Sequence, residues 1–168
     1  MNPKKTYLKS FFAIILFIAV NLTHAIGIED KAPNFSAKTL AGQSVSLQND
    51  SMGDKPVLLI FWATWCPICE LEIPEMNELH TNIGDRLSIL AINIGKDDTD
   101  DKARKYQAKH SINYPIVFDE DSSITKSYAV KGTPTHIIIG TNGNIRYRGT
   151  KAPTGAEIEK YWDKLTAK

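Results

Sequence analysis

One apolar run that leads directly into the two cysteines constrains the fold more than any other stretch of this chain. The run Val57–Trp62 is continuous and rich in β-branched and aromatic residues, which is typical of a strand buried on both faces. Cys66 and Cys69 follow it closely in a Cys-X-X-Cys motif. We therefore predict an α/β fold in which a central buried strand delivers Cys66 to the start of a helix.

The start of a helix is a favourable place for a reactive thiol. Its unpaired backbone N–H groups and the positive end of the helix dipole favour a thiolate over a thiol. In Cys-X-X-Cys motifs the pKa of the first thiol can fall from about 8.5 into a range of roughly 3.5 to 7.5. We therefore expect Cys66 to be the nucleophile. Cys69 lies one helical turn later on the same face, and we expect it to resolve a mixed disulfide formed at Cys66.

Two simpler roles for the cysteine pair have to be weighed. A structural zinc ion needs about four ligands, but the sequence has no second cysteine pair and only four scattered histidines. A purely structural disulfide is common in exported proteins, but a bridge across two intervening residues closes too small a loop to remove much entropy from the unfolded chain. The residues therefore favour redox chemistry without a metal or another cofactor.

The N-terminal segment 1–25 has the pattern of a secretory signal. It begins with a basic stretch, continues with the apolar run 11–20 and ends at Ala25, a small residue suited to cleavage. An uncleaved membrane anchor is the alternative, although the run is short for a spanning helix of about 20 residues. Residues 26–168 then form one domain with 17 basic and 19 acidic side chains, a balance that gives no footprint for nucleic acid.

The rest of the sequence alternates between strand and helix patterns. A hairpin is predicted from residues 35–40 and 43–47, followed by a loop at 48–55. Further strands are predicted at 87–94, 114–118, 135–140 and 145–148, and further helices from the acidic run 97–101 to His110, at 122–130, and after a capping box at Thr154 and Glu157. The predicted buried faces are Ile68, Leu71, Ile73, Met76 and Leu79 in the motif helix, which Pro74 interrupts, and Ile158, Tyr161, Trp162 and Leu165 in the last helix.

Two motifs resemble those of a known family. The stretch Phe61-Trp62-Ala63-Thr64-Trp65-Cys66-Pro67-Ile68-Cys69, continued as Cys-X-X-Cys-X-X-Glu-X-Pro, resembles the exported TlpA/ResA/CcmG-like thiol-disulfide oxidoreductases. The loop Gly132-Thr133-Pro134-Thr135 is similar to the cis-proline loop of the same family. The resemblance extends from about Ala32 to the C-terminus. It implies a thioredoxin-like fold, with a central mixed sheet flanked by helices and an N-terminal β-hairpin extension.

The same resemblance implies further site residues and partners. The Thr133–Pro134 peptide bond is expected to be cis, with the proline against the two sulfurs and the Thr133 backbone pairing with a bound substrate strand. Trp65 is expected to shield the sulfurs and to line the docking groove, although a merely packed tryptophan is also compatible with the sequence. The implied partners are exported proteins that carry disulfides and a membrane thiol reductase that supplies electrons.

Glu72 is the most informative residue outside the cysteine pair. It lies three positions beyond Cys69 on the same side of the helix, where TlpA-like reductases keep a glutamate near their thiols. There it could accept the proton that Cys69 must lose before it attacks; the alternative is a solvated surface acid. Thioredoxin itself carries a buried aspartate at the place that Ile60 occupies here. Isoleucine has no titratable group and cannot transfer a proton. His136 is a tempting base, but a satisfied structural histidine is the favoured interpretation.

These observations favour an extracytoplasmic thiol-disulfide oxidoreductase that reduces partner proteins at the periplasmic or outer face of the membrane. Pro67 is shared with CcmG-like proteins of cytochrome c maturation, so a role in that process is one implication of the resemblance. A disulfide oxidase or isomerase of the same fold is the main alternative, because oxidants and reductants overlap in the dipeptide between the cysteines. A copper-binding chaperone is a weaker one, because the wider cysteine spacing and third ligand of Sco-like proteins are not evident.

Overall fold

The computed structural model describes residues 26–47 and 55–167, so the predicted signal at 1–25 and most of the predicted loop at 48–55 lie outside the described residues. The strands in chain order are β1 (Ser36–Lys38), β2 (Ser44–Ser46), β3 (Val57–Trp62), β4 (Ser88–Asn93), β5 (Ile116–Phe118), β6 (Thr135–Ile139) and β7 (Ile145–Gly149). The helices are α1 (Pro67–Ile83), α2 (Asp100–Lys109), α3 (Ser123–Ser127), α4 (Gly155–Lys160) and α5 (Trp162–Thr166).

The strand that precedes the cysteines lies at the centre of a five-stranded mixed sheet, whose order is β5-β4-β3-β6-β7. β3 pairs in parallel with β4 and antiparallel with β6, and all six of its residues are buried. This burial on both faces explains why Val57–Trp62 is apolar throughout rather than alternating. The central strand and the mixed sheet predicted from the sequence are therefore confirmed.

The predicted N-terminal hairpin is also confirmed, with strands shorter than expected. β1 and β2 pair antiparallel, and the turn between them places Gly42 at a φ of 82°, which favours glycine. The hairpin is attached to the edge of the large sheet, because Thr39 forms a bridge to Val117 and the Leu40 N–H donates to the Ile116 carbonyl at 2.7 Å. This contact covers part of the exposed edge of β5.

The buried face predicted for α1 is wrong at two positions. Ile73, Met76 and Leu79 are buried as expected, but Ile68 is 57% exposed and Leu71 is 79% exposed. The residues that face the core recur with the helical period from Cys69, and Ile68 and Leu71 lie outside that stripe. Pro74 is accommodated within the helix, as predicted. The start of α1 therefore presents apolar side chains to solvent beside the cysteine motif.

The predicted last helix is divided into α4 and α5 at Tyr161. The capping box is present, since the Glu157 N–H donates to the Thr154 hydroxyl at 3.2 Å and the Thr154 N–H donates to the Glu157 carboxylate at 2.9 Å. Ile158 and Leu165 are buried, but Tyr161 is exposed, with the ammonium groups of Lys160 and Lys164 over its ring. The prediction that Tyr161 belongs to the buried face is therefore wrong, because the break in the helix turns it outward.

Two other boundaries differ from the prediction. α3 ends at Ser127 rather than at residue 130, and Ala129 follows it at a φ of 49°, a left-handed conformation that is incompatible with a continued helix. The strand predicted from Tyr114 begins at Ile116. In the part of the chain that the structure describes, none of the helices has both the length and the apolar character needed to span a bilayer.

Candidate active site

The two cysteines lie where the central strand gives way to α1. β3 ends at Trp62, a short turn follows, and Cys66 is the N-cap of the helix. The sulfurs form a disulfide, both residues are buried, and the Cys69 N–H donates to the Cys66 Sγ at 3.2 Å. The structure therefore describes the oxidised form of the pair. The same N–H donor, together with the helix N-terminus, would stabilise a thiolate on Cys66 after reduction.

The turn that precedes Cys66 is held by a buried carboxylate from another part of the chain. Asp98 accepts hydrogen bonds from the Thr64 N–H at 2.8 Å, the Thr64 hydroxyl at 2.9 Å and the Asn93 side-chain amide at 2.8 Å. The neighbouring Trp65 is half-exposed, and its indole N–H donates to the Lys96 carbonyl at 2.9 Å. The segment between β4 and α2 thus fixes the approach to the helix start.

This role of Asp98 is not predicted from the sequence, because the whole acidic run 97–101 is typical of the start of a helix. The run does precede α2, but Thr99 caps that helix, and the Asp98 carboxylate turns back toward β3. A sequence signal was available. Asn93 ends the strand that lies next to β3 in parallel, so polar residues just beyond it are expected at the same edge of the sheet.

We expect Asp98→Asn to destabilise the protein by about 1.5–3 kcal/mol, because the new amide group turns an N–H toward donors that the carboxylate now satisfies. Asp97→Asn is the matched control: Asp97 is exposed at a φ of 56°, which asparagine tolerates, so the change should stay within about 0.5 kcal/mol. Urea unfolding of the two oxidised variants measures both effects. Equal stabilities would contradict the role assigned to Asp98.

The second sequence motif lies at the same end of the sheet as the cysteines. The Thr133–Pro134 bond is cis, the isomer expected from the sequence, and Pro134 is buried. Thr135 follows as the first residue of β6, where it pairs with Phe61 in β3. Because β3 and β6 are antiparallel, the start of β6 lies beside the end of β3, and the cis-proline loop is brought to the edge from which Cys66 projects.

Glu72 is not a solvated surface acid. Its side chain is 17% exposed, its Oε1 accepts a hydrogen bond from the Ala152 N–H at 3.3 Å, and its Oε2 lies 3.2 Å from the Nε2 of His136. Glu70 and Glu75 on the same helix are exposed, as the sequence predicts. Glu72 and Cys69 also line one cavity of about 10 Å³, which is close to the space that one water molecule needs.

Aromatic residues enclose this cavity. Trp62 and Tyr114 line it, and the Trp62 indole N–H is buried without a hydrogen-bond partner in the described part of the chain. Burial raises the pKa of Tyr114 well above its usual value, and the negative charge of Glu72 raises it further. Tyr114 is therefore a neutral hydroxyl across the physiological range. The cavity is therefore lined by the Glu72 carboxylate, the Cys69 residue and neutral polar groups, and its other lining side chains are apolar.

His136 departs from the prediction of a satisfied structural histidine. Its side chain is 0% exposed, and neither ring nitrogen makes a hydrogen bond to any of the residues that the structure describes. The 3.2 Å between its Nε2 and Glu72 is an ion-pair distance, but the orientation is too poor for a hydrogen bond. The imidazole is adjacent to Ile60, its partner in the pairing of β3 and β6. Carboxylate and imidazole thus come from α1 and β6, around the place where thioredoxin carries its strand aspartate.

A metal centre is not formed by the described residues. Across 26–47 and 55–167, no three histidine, cysteine, aspartate or glutamate side chains come together in a way that could hold a metal ion.

The Cys-X-X-Cys pair lies at a helix start, and a cis-proline loop lies at the same end of a mixed sheet of this order. These features place the chain in the class of thioredoxin-like thiol-disulfide oxidoreductases. Comparison with known proteins supports the same class. The chain belongs to the AhpC/TSA family, whose sequence profile matches residues 28–148. The thioredoxin-like fold expected from the sequence motifs is thereby confirmed.

Individual relatives agree with this assignment. The chain is 36% identical to the thioredoxin-like protein YneN of Bacillus subtilis, over 82% of its own length and 81% of the relative's. It is 32% identical to the thiol-disulfide oxidoreductase ResA of Bacillus thuringiensis, over 83% and 79% of the two lengths. Among solved structures, a chain from Chlorobium tepidum assigned as the thiol:disulfide interchange protein DsbE is 26% identical, with a TM-score of 0.69 over 83% of this chain and 96% of that one.

Proposed function

We propose that this protein is exported and reduces disulfides in partner proteins, with Cys66 as the nucleophile and Cys69 as the resolving thiol. The observation that carries the proposal is the hydrogen bond from the Cys69 N–H to the Cys66 Sγ at the N-cap of α1. A donor at this place stabilises negative charge on Cys66 and offers nothing comparable to Cys69. This asymmetry supports Cys66 as the thiol that attacks first.

The reaction takes place in two exchanges. The Cys66 thiolate attacks one sulfur of the client disulfide, so that a Cys66–client bond forms and the other client sulfur leaves with the electron pair. Cys69 then loses its proton to Glu72 and attacks Cys66. The Cys66–Cys69 bond forms, the Cys66–client bond breaks, and the client leaves as a second thiolate that takes up a proton. Two electrons pass to the client, and the protein is left oxidised.

The surface around Cys66 supports docking of a protein client. Trp65, Ile68 and Leu71 are exposed apolar side chains within two turns of the motif, and such a cluster is typical of an interaction site. On the other side, the backbone of Thr133 precedes the cis-proline, and we propose that it pairs with an extended segment of the client. Trp65 then acts as a docking residue rather than as a core residue.

The direction of electron flow is tested by the reduction potential. If the protein is a reductant, equilibration in glutathione buffers should give a value nearer −270 mV, as in thioredoxin, than −120 mV, as in strong oxidants. The fraction of protein in the disulfide form is followed by tryptophan fluorescence, and the Cys66→Ser variant, which cannot form the disulfide, provides the baseline. A value near −120 mV would favour a disulfide oxidase or isomerase instead.

The client class and the location complete the proposal. Pro67 supports a role in cytochrome c maturation, where the Cys-X-X-Cys-His haem site must be reduced before haem is attached. A peptide with that disulfide should therefore be reduced faster than a scrambled control.

Segment 1–25 is proposed as the export signal, and a membrane thiol reductase is proposed as the electron source. The protein is recovered from the extracytoplasmic fraction and its intact mass is measured. A mass that corresponds to residues 26–168 would show that the signal is cleaved before residue 26.

A further inference from the structure

His136 is a buried polar side chain that the exchange described above does not use. It lies in β6 between Ile60 of β3 and Gly149 of β7, and its side chain is fully buried. Within residues 26–47 and 55–167, neither ring nitrogen has a hydrogen-bond partner. Proteins pair nearly all buried polar groups, because an unpaired one loses its hydration without compensation. An imidazole left in this condition in the oxidised form requires an explanation.

The group it faces is Glu72. The Nε2 of His136 lies 3.2 Å from the Glu72 Oε2, and the other carboxylate oxygen is held by the Ala152 N–H. The titratable groups that approach the pair from other elements are Tyr114, from the segment before β5, and Tyr147, from β7. The pKa of Tyr147 is raised by burial first, then by Glu157 and Glu72. Both tyrosines therefore stay neutral, and the proton balance of the site falls on the carboxylate, the imidazole and the thiol.

The missing partner at Nδ1 has a chemical meaning. A fixed hydrogen bond at Nδ1 decides which nitrogen carries the proton and so locks the tautomer. Without that bond, a neutral imidazole can present Nε2–H as a donor to a carboxylate, or a bare Nε2 as an acceptor for a carboxylic acid. The 3.2 Å contact is not aligned for a hydrogen bond in the oxidised form, but once a small rotation of either side chain aligns Nε2 with Oε2, His136 can satisfy Glu72 both before and after Glu72 takes up a proton.

We propose that His136 is a positioning residue for the resolving step, acting through Glu72. This inference rests on the proposed role of Glu72. Cys69 passes its thiol proton to the Glu72 carboxylate, directly or through the cavity that both residues line. After a small rotation aligns Nε2–H with Oε2, His136 donates to that oxygen whether Glu72 is a carboxylate or carries the proton on its other oxygen, so the carboxyl group keeps its orientation while the Cys69 electron pair forms the bond to Cys66 and the client thiolate leaves.

The test is a double-mutant cycle on the decay of the mixed disulfide. His136→Leu removes both nitrogens, whereas His136→Gln keeps a side-chain amide that can donate or accept at a similar reach. Each is made alone and with Glu72→Gln. The single-turnover decay of the Cys66–peptide adduct is followed by acid quench and mass spectrometry between pH 5 and 9. Urea unfolding and circular dichroism report whether each variant is folded.

We expect His136→Leu to slow the decay roughly tenfold, within the coupling range of contacting residues, and His136→Gln to restore most of the rate. With Glu72→Gln already present, His136→Leu should have little further effect. The role of His136 would be overturned if His136→Leu slowed the decay equally with Glu72 and with Glu72→Gln. It would also be overturned if His136→Leu did not slow the decay in the protein that retains Glu72.

The outcomes separate this inference from the proposed function. If Glu72→Gln leaves the decay unchanged, the proposed role of Glu72 fails; if Glu72→Gln slows the decay and His136→Leu does not, only the role of His136 fails. If the Leu variant does not fold, NMR of the wild-type protein decides. The ring nitrogen shifts of His136 should change when Glu72→Gln removes the carboxylate next to Nε2, and unchanged ring shifts would overturn the inference.

Discussion

Cys66→Ser should abolish turnover of a disulfide-bonded client such as insulin, whereas Cys69→Ser should accumulate a covalent adduct between Cys66 and the client. The first variant lacks the thiolate that opens the client disulfide. The second retains it, together with the helix N-terminus that favours its charge, but has no thiol to displace the product. Adducts are detected by non-reducing electrophoresis and mass spectrometry, and insulin precipitation measures turnover.

The reciprocal pattern is what makes this pair of variants decisive. Both substitutions replace one buried sulfur by oxygen, so a general loss of stability would affect them alike. A stable adduct in Cys66→Ser, with none in Cys69→Ser, would reverse the assignment of nucleophile and resolving thiol. Turnover by Cys66→Ser close to the wild-type rate would remove the proposed function altogether.

Glu72→Gln should slow the attack of Cys69 on the mixed disulfide by about 10²-fold or more, since general base catalysis contributes roughly 10² to 10⁴. The amide is nearly isosteric and can keep the contact with the Ala152 N–H, but it cannot accept a proton at neutral pH. The formation of the mixed disulfide by Cys66 should change much less. The two steps are separated by mixing the reduced protein with an activated peptide disulfide in a stopped-flow instrument.

Glu75→Gln provides the control for this prediction. It makes the same chemical change one turn further along α1, at a position that is exposed to solvent. Glu75→Gln should therefore leave both steps at the wild-type rate. A resolving rate in Glu72→Gln that equals the wild-type rate from pH 5 to pH 9 would exclude Glu72 from the mechanism and leave solvent as the base.

The features that the sequence predicts well depend on local signals. β3 is recognised because a strand with two buried faces must be apolar at every position, and the capping box at Thr154 because its two hydrogen bonds join residues three apart. The sequence pattern wrongly predicts that Ile68 and Leu71 are buried, because an apolar position on a helix does not reveal what covers it. At an interaction surface, the covering partner is another molecule.

The contacts that the sequence could not predict are those between distant elements. Asp98 reaches the turn at Thr64 because β4 lies beside β3, and His136 meets Glu72 because the pairing of β3 with β6 and the packing of α1 bring them together. Each of these side chains has an ordinary local interpretation, as part of a helix start or as a residue of an apolar strand. Only the strand order and register of the sheet bring Asp98 and His136 to the site around the cysteine pair.

The position of Ile60 has a consequence for redesign. Ile60 pairs with His136 and lines the same small cavity as Glu72. An aspartate introduced there, in imitation of thioredoxin, would place two carboxylates within one apolar enclosure, where mutual repulsion and lost hydration oppose a second negative charge. An acid at position 60 of the strand and an acid at position 72 of the helix therefore disfavour each other. A variant with Ile60→Asp should also carry Glu72→Gln, so that only one carboxylate remains in the cavity.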